Sequence, residues 1–277
     1  MESRNPILRG AVKQDGFAYN EGVNAYNQAA YGTQMMDQQI GGPSVGAPTG
    51  ERALTIDDVV TKTAISFIVL LIGAGVGWVL TPSLPFLPFV AMIAALIVFF
   101  VGAFRKVPGA GVVLTYAALE GVMIGGVSMF YQDIVDTQGN GTNIILQAVL
   151  GTLVAFAVML FLYRSRIIKV NGTFMKIMMV AMVSYLVIAL VSFVAALFGV
   201  GGGWGFYGVG GLGLLLCAAG VALAAFTLNL DFASIEQGIN EGLPAKYAWT
   251  MSMGLIVTLV WLYLEILRFL AILNSNN

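Results

Sequence analysis

Seven long apolar runs divide the chain, at roughly 63–80, 84–104, 110–131, 144–163, 177–199, 207–230 and 247–272. As a helix, each is long enough to cross a hydrocarbon core of about 30 Å. Basic residues fall in alternate gaps between the runs. Arg4, Arg9, Lys13, Arg52 and Lys62 precede or open the first run, Arg105 and Lys106 follow the second, Arg164, Arg166, Lys169 and Lys176 follow the fourth, and Lys246 follows the sixth. The other three gaps contain no Lys or Arg. Basic loops are retained on the cytoplasmic side, so the pattern sets the N-terminus inside and the C-terminus outside. The sequence reads as an all-α integral membrane protein, a seven-transmembrane-helix bundle in a lipid bilayer.

Composition excludes several function classes. With 58% hydrophobic and 10% charged residues and a mean hydropathy of +0.88, the chain is far more apolar than a soluble domain. A net charge of −1, with no basic stretch interleaved with aromatics, gives no footing for nucleic acid. Cys217 is the only cysteine, so an intrachain disulfide is excluded; in the sixth run it reads as a small core residue. The absence of histidine removes the commonest metal ligand and the commonest acid/base, and with it any Ser–His membrane protease. A two-aspartate protease needs two membrane aspartates sharing a proton. Asp231 is the aspartate nearest an apolar run, and Asp57 and Asp58 stand at the first helix entry. No Walker loop or dinucleotide fingerprint is present. Neither an enzyme nor a resident cofactor or metal site is expected.

Residues 1–54 form a separate region, rich in Gly, Asn, Gln and Ala with scattered tyrosines and no helical or strand period. Such a segment buries too little apolar surface to offset its ordering, so it is expected to be a disordered cytoplasmic tail. Phe17, Tyr19, Tyr26 and Tyr31 are either passive there or weak adhesive points for a partner. The membrane domain is expected over 55–277, opening at Thr55-Ile56-Asp57-Asp58, with Thr55 as N-cap and Asp58 three residues on. Short gaps such as TPSLP at 81–85 favour up-and-down neighbours. The Gly-rich stretch 199–213 reads as part external loop and part close backbone contact at the start of the sixth helix. Gly73 with Gly77, and Gly121 with Gly125, make GxxxG pairs that permit close helix approach. No internal repeat is evident.

Ionisable groups inside spans are the main functional signal, because each costs about 2.5–3.5 kcal/mol on insertion scales. Glu120 lies almost at the middle of the third run. It is either part of a polar path or a neutral carboxyl hydrogen-bonded to a neighbouring helix. Asp231 and Glu236 lie at the expected cytoplasmic end of the sixth run, where Asp231 is either functional or a solvated boundary residue; Asn229 adds a polar group at that depth. Glu265 and Arg268, spaced i,i+3 late in the seventh run, share a helix face and read as a structural ion pair, with the Arg268 stem long enough to snorkel.

The segments LNLDFASIEQG and LIVTLVWLYLEILRFL resemble the bacterial branch of the Bax inhibitor-1/YccA family, as does LEGVMIGG in the third run. The resemblance covers about 55–273. It implies a seven-helix fold with the last helix near the centre, in a bacterial plasma membrane. It also implies either a pH-sensitive calcium leak or a regulator of membrane proteolysis or cell death. In leak-channel members two aspartates on the sixth and seventh helices share a proton and gate a cytoplasmic-side opening. Asp231 matches the first; the second falls ten residues before the Arg of the final motif, and counting back from Arg268 gives Thr258. A lone carboxylate opposite a threonine has no proton-sharing partner.

Two functions follow. One is a cation leak, Ca²⁺ being the implied ion, with Glu120 at mid-depth, Asp231 and Glu236 toward the cytoplasm and Thr258 supplying a hydroxyl. The other is a non-conducting regulator that binds another membrane protein, such as a protease complex, through the tail. A purely structural membrane protein is the remaining alternative.

Overall fold

The computed structural model describes residues 52–105, 107–137, 143–208 and 210–275. The expected tail lies outside them except for its last three residues. Among these described residues seven α-helices occur in order: α1 (Ile56–Leu80), α2 (Leu87–Phe104), α3 (Ala110–Thr137), α4 (Ile144–Arg164), α5 (Gly172–Leu197), α6 (Gly210–Asn240) and α7 (Ala248–Ser275). All seven are long and apolar enough to cross a membrane, and the described residues contain no β-strand. The chain is an all-α, multi-pass membrane protein.

Local chemistry explains where the helices start. At α1 the Thr55 hydroxyl accepts from the Asp58 N–H at 3.3 Å while Asp58 Oδ2 accepts from the Thr55 N–H at 3.1 Å, the reciprocal box that the sequence called for. The side chains of Asn143 and Asn171 accept from Leu146 N and Phe174 N and so open α4 and α5. Pro88 sits in the first turn of α2, where its missing N–H costs nothing. Just ahead of α1, an isolated antiparallel bridge joins Ala53 to Pro244, with Leu54 N donating to Leu243 O at 2.7 Å and Ala245 N donating to Arg52 O at 2.9 Å. The chain entering the first helix is thereby tied to the α6–α7 connection.

Several helix boundaries differ from the apolar runs, two of them by seven residues or more. First, α1 begins seven residues ahead of its run, at Ile56, because the capping box extends the helix through its polar lead-in. Second, α6 continues to Asn240 instead of ending near 230. Hydropathy falls there, yet Leu228, Phe232 and Ile235 keep a helical face that packs with Leu54, Leu255 and Leu262. Asp231 and Glu236 consequently lie on the helix rather than at its end. Between α5 and α6, two short 3₁₀ turns, Val200–Gly203 and Gly205–Gly208, replace an open loop. Gly205 takes φ +64° and lies against the Ser192 carbonyl, leaving no room for a side chain. The Gly-rich stretch is thus both loop and close contact.

Packing centres on α7. Half of its most apolar stretch is buried inside the bundle, against 11% for α5 at the periphery. The last helix packs on α1, α3, α4 and α6. The most extensive helix pair is α1 with α3, and glycines pave it from both sides. A Cβ on Gly121 would run into the Leu70 carbonyl and sit 3.0 Å from Ala74 N; one on Gly77 or Gly125 would likewise strike the facing helix's backbone. Both GxxxG pairs therefore meet in a single interface.

Gly121→Val is expected to lower the unfolding midpoint in mild detergent, by a loss of at least about 1–3 kcal/mol, the usual range for an overpacked contact. Gly75→Val, on the same α1 but with nothing within 4 Å of its Cβ position, should leave the midpoint unchanged. Equal midpoints for the two variants would refute the close crossing.

Candidate functional site

A helix enclosed by others can carry polar side chains only where each finds a partner, because hydrocarbon supplies none. Along α7, three polar positions meet three different helices, and a fourth is paired along α7 itself. Nearest the basic face, the Ser252 hydroxyl donates to Ser66 Oγ on α1 at 3.2 Å, and Ser66 donates onward to the Lys62 carbonyl at 2.9 Å. Next comes Thr258, 5% exposed, whose hydroxyl is set against the Asp231 carboxylate of α6. Further along, Tyr263 OH and Ser128 Oγ of α3 share a hydrogen bond of 2.7 Å. Last is Glu265 with Arg268.

The two carboxylates on this file are treated in opposite ways. Glu265 is 3% exposed and surrounded by donors. Trp261 Nε1 donates to its Oε1 at 3.2 Å, and Arg268 Nη1 lies 3.4 Å from both oxygens. Tyr185 of α5 also borders it, with its own hydroxyl 3.2 Å from Tyr207 OH. The Arg268 guanidinium stacks 4.6 Å from the Tyr207 ring centre and its Nε reaches Tyr131 OH at 3.5 Å. Arg268 is held by aromatic rings of α3 and of the 3₁₀ turn. Asp231, by contrast, has its Oδ2 enclosed with no hydrogen-bond partner among the described residues. Asn229 is fully buried on the same helix; its amide donates to Met159 Sδ and the Phe226 carbonyl, and its Oδ1 is also unpartnered.

The structure brings Asp231 and Thr258 together, the two positions that the family resemblance paired. It keeps the other two candidates apart. Glu120 is partly buried on α3 beside Tyr116, one turn earlier on its own helix, and Tyr116 in turn packs on Phe99 of α2 at a ring distance of 6.0 Å. Glu236 is exposed at the basic end of α6 and accepts a hydrogen bond from Tyr163 OH of α4. No cluster of three or more Asp, Glu or Cys side chains able to hold a metal occurs among the described residues. Sequence reasoning missed the belt of Tyr131, Tyr185, Tyr207 and Trp261 around the ion pair. They stand on four separate elements, Tyr185 and Trp261 near the middles of α5 and α7, and nothing local pairs residues so far apart in the chain.

The family model described as Bax inhibitor 1 like matches residues 5–275. The match takes in most of the N-terminal segment, which the motif resemblance over 55–273 had left outside. No curated protein matches the chain.

Glu265→Gln strands a cation in a largely enclosed setting and is expected to cost about 3 kcal/mol, the low end for breaking a buried pair because Arg268 retains some exposure. The double change Glu265→Gln with Arg268→Gln should recover most of that loss. A thermodynamic cycle on unfolding in detergent reads the coupling directly; strict additivity would remove the pair from the account of stability.

Proposed function

The chain belongs to the Bax inhibitor 1-like family, and from that premise we propose that it is a pH-sensitive cation leak in a bacterial plasma membrane, without enzymatic activity. Calcium is the ion the family resemblance implies. The observation that carries the reading is the Asp231 carboxylate, enclosed on α6 with one oxygen unsatisfied and the Thr258 hydroxyl of the central helix before it.

An enclosed carboxylate oxygen without a donor is costly as a bare charge. Either a proton or a cation offsets that cost. With a proton, Asp231 is neutral and can donate to Thr258, which joins α6 to α7. Without it, the carboxylate and the threonine hydroxyl present adjacent oxygens, the donor type that hard cations select. Protonation therefore changes charge and pairing at one point of the path, and flux becomes pH-dependent. Thr258 does not titrate, so this is a one-carboxylate gate. Glu120 adds an acidic group at mid-depth and Glu236 one toward the basic face, each through its own tyrosine partner.

Thr258 in place of a second carboxylate also supports a second reading, a non-conducting regulator that binds another membrane protein through residues 1–54. Deleting that segment separates the two: a leak persists, whereas a tail-borne regulator loses co-purification with its partner.

Calcium flux into proteoliposomes of the purified protein is expected to change several-fold between about pH 6 and pH 8. Asp231→Asn should flatten that dependence, and adding Glu120→Gln should reduce the flux further. Unaltered flux and pH profile in the double variant, with protein verified as folded, would sink the carboxylate-controlled leak.

A further inference from the structure

Between α1 and α4 lies a groove of about 1200 Å³, floored by Leu255 and Leu259 of α7. Its lining on α1 extends from Ile56 to Trp78. At 1.5 Å per residue that is about 33 Å, the full depth of a hydrocarbon core. The walls are almost wholly apolar and open sideways; Val60 and Leu71 on α1 and Leu153 on α4 are at least half exposed. Gly75 leaves empty space where a side chain would stand.

The basic end of the groove has a different character. Arg164, Arg166 and Lys169 line it, all exposed, and none forms an ion pair among the described residues. Arg166 carries φ +55°, the one non-glycine residue at positive φ among those described. It occupies the left-handed position that closes α4, with Arg166 N donating to Tyr163 O at 2.9 Å and Ile167 N donating to Leu162 O at 3.1 Å. Glycine or asparagine fills that position at least strain. An arginine there turns the chain back, so that Arg166, Ile168 and Lys169 overhang the groove mouth. The acid at this end, Glu236, is engaged by Tyr163.

We propose that this groove is a binding site for an anionic phospholipid of the basic-side leaflet. Its phosphate lies among Arg164, Arg166 and Lys169, and an acyl chain runs along the slot between α1 and α4. Charge and shape select the same occupant. Three unpaired cations at the membrane surface attract a negative headgroup, and the apolar slot below them, open to the bilayer from the side, is continuous with the space that acyl chains occupy. A free phosphate would use the cations and leave the slot unfilled; a neutral lipid would do the reverse.

The test is native mass spectrometry of the full chain released from detergent micelles containing dioleoyl phosphatidylglycerol or dioleoyl phosphatidylcholine, with the unfolding midpoint of each variant measured alongside. The intact protein is expected to retain the anionic lipid about tenfold more than the neutral one. Arg164→Gln, Arg166→Gln and Lys169→Gln combined should bring that ratio close to one. Gly75→Phe, which enters open space, should lower retention of the anionic lipid while the midpoint holds. Arg105→Gln, a basic-side cation outside the groove, should change nothing. Equal retention of the two lipids by the intact protein, a preference surviving in the triple variant, or full retention by a folded Gly75→Phe protein would each overturn the proposal.

Discussion

Direct backbone contact between α1 and α3 is the constraint on which the rest of the bundle depends. Inside a bilayer, apolar side chains gain nothing by leaving lipid for one another, so helices associate through close van der Waals packing and polar bonds. Gly73, Gly77, Gly121 and Gly125 bring the two main chains together with no side chain between them. The resulting wall presents Ser66 on one helix and Ser128 and Tyr131 on the other to α7. Were the wall thicker by a layer of side chains, those short hydroxyls would no longer reach their partners on α7. Small residues in one interface thus decide whether polar residues in another can be satisfied.

Much of this was readable from the chain alone, for identifiable reasons. Hydropathy and the alternation of Lys and Arg sufficed for seven spans because the bilayer makes burial a property of long runs. Capping chemistry located the start of α1, since Thr55 and Asp58 are neighbours in sequence. The continuation of α6 through Asp231 was not legible, because past residue 230 the helix is held by one packed face rather than by general hydropathy. The family resemblance matched Thr258 to Asp231, but the unsatisfied oxygen depends on how α6 packs against α7. The tyrosine belt around Arg268 was hidden for the same reason: Tyr131 and Arg268 are 137 positions apart.

Glu265 and Asp231 show how number of partners distinguishes two acids placed on or against one central helix. Glu265 has an indole N–H, a guanidinium and a tyrosine around it, so its charge is fully compensated and its geometry is fixed. Asp231 has one hydroxyl and an idle oxygen. The first arrangement joins α3, α5 and α7 through one shared polar network. The second keeps unspent coordinating capacity at the contact of α6 with α7. Position along α7 separates them as well, with Glu265 on the side of the 3₁₀ turns and Asp231 toward the basic loops.

The central position of α7 has a temporal consequence. It is the last of the seven helices to be synthesised, yet it is the one the others surround. Until it emerges, Ser66, Ser128, Tyr131 and Asp231 lack the residues they face in the finished bundle, and the strand-like bridge from Ala53 waits for Pro244. The six earlier helices therefore lack their central packing partner until α7 is in place. A chain stopped before residue 248 would lack its organising element rather than a peripheral part.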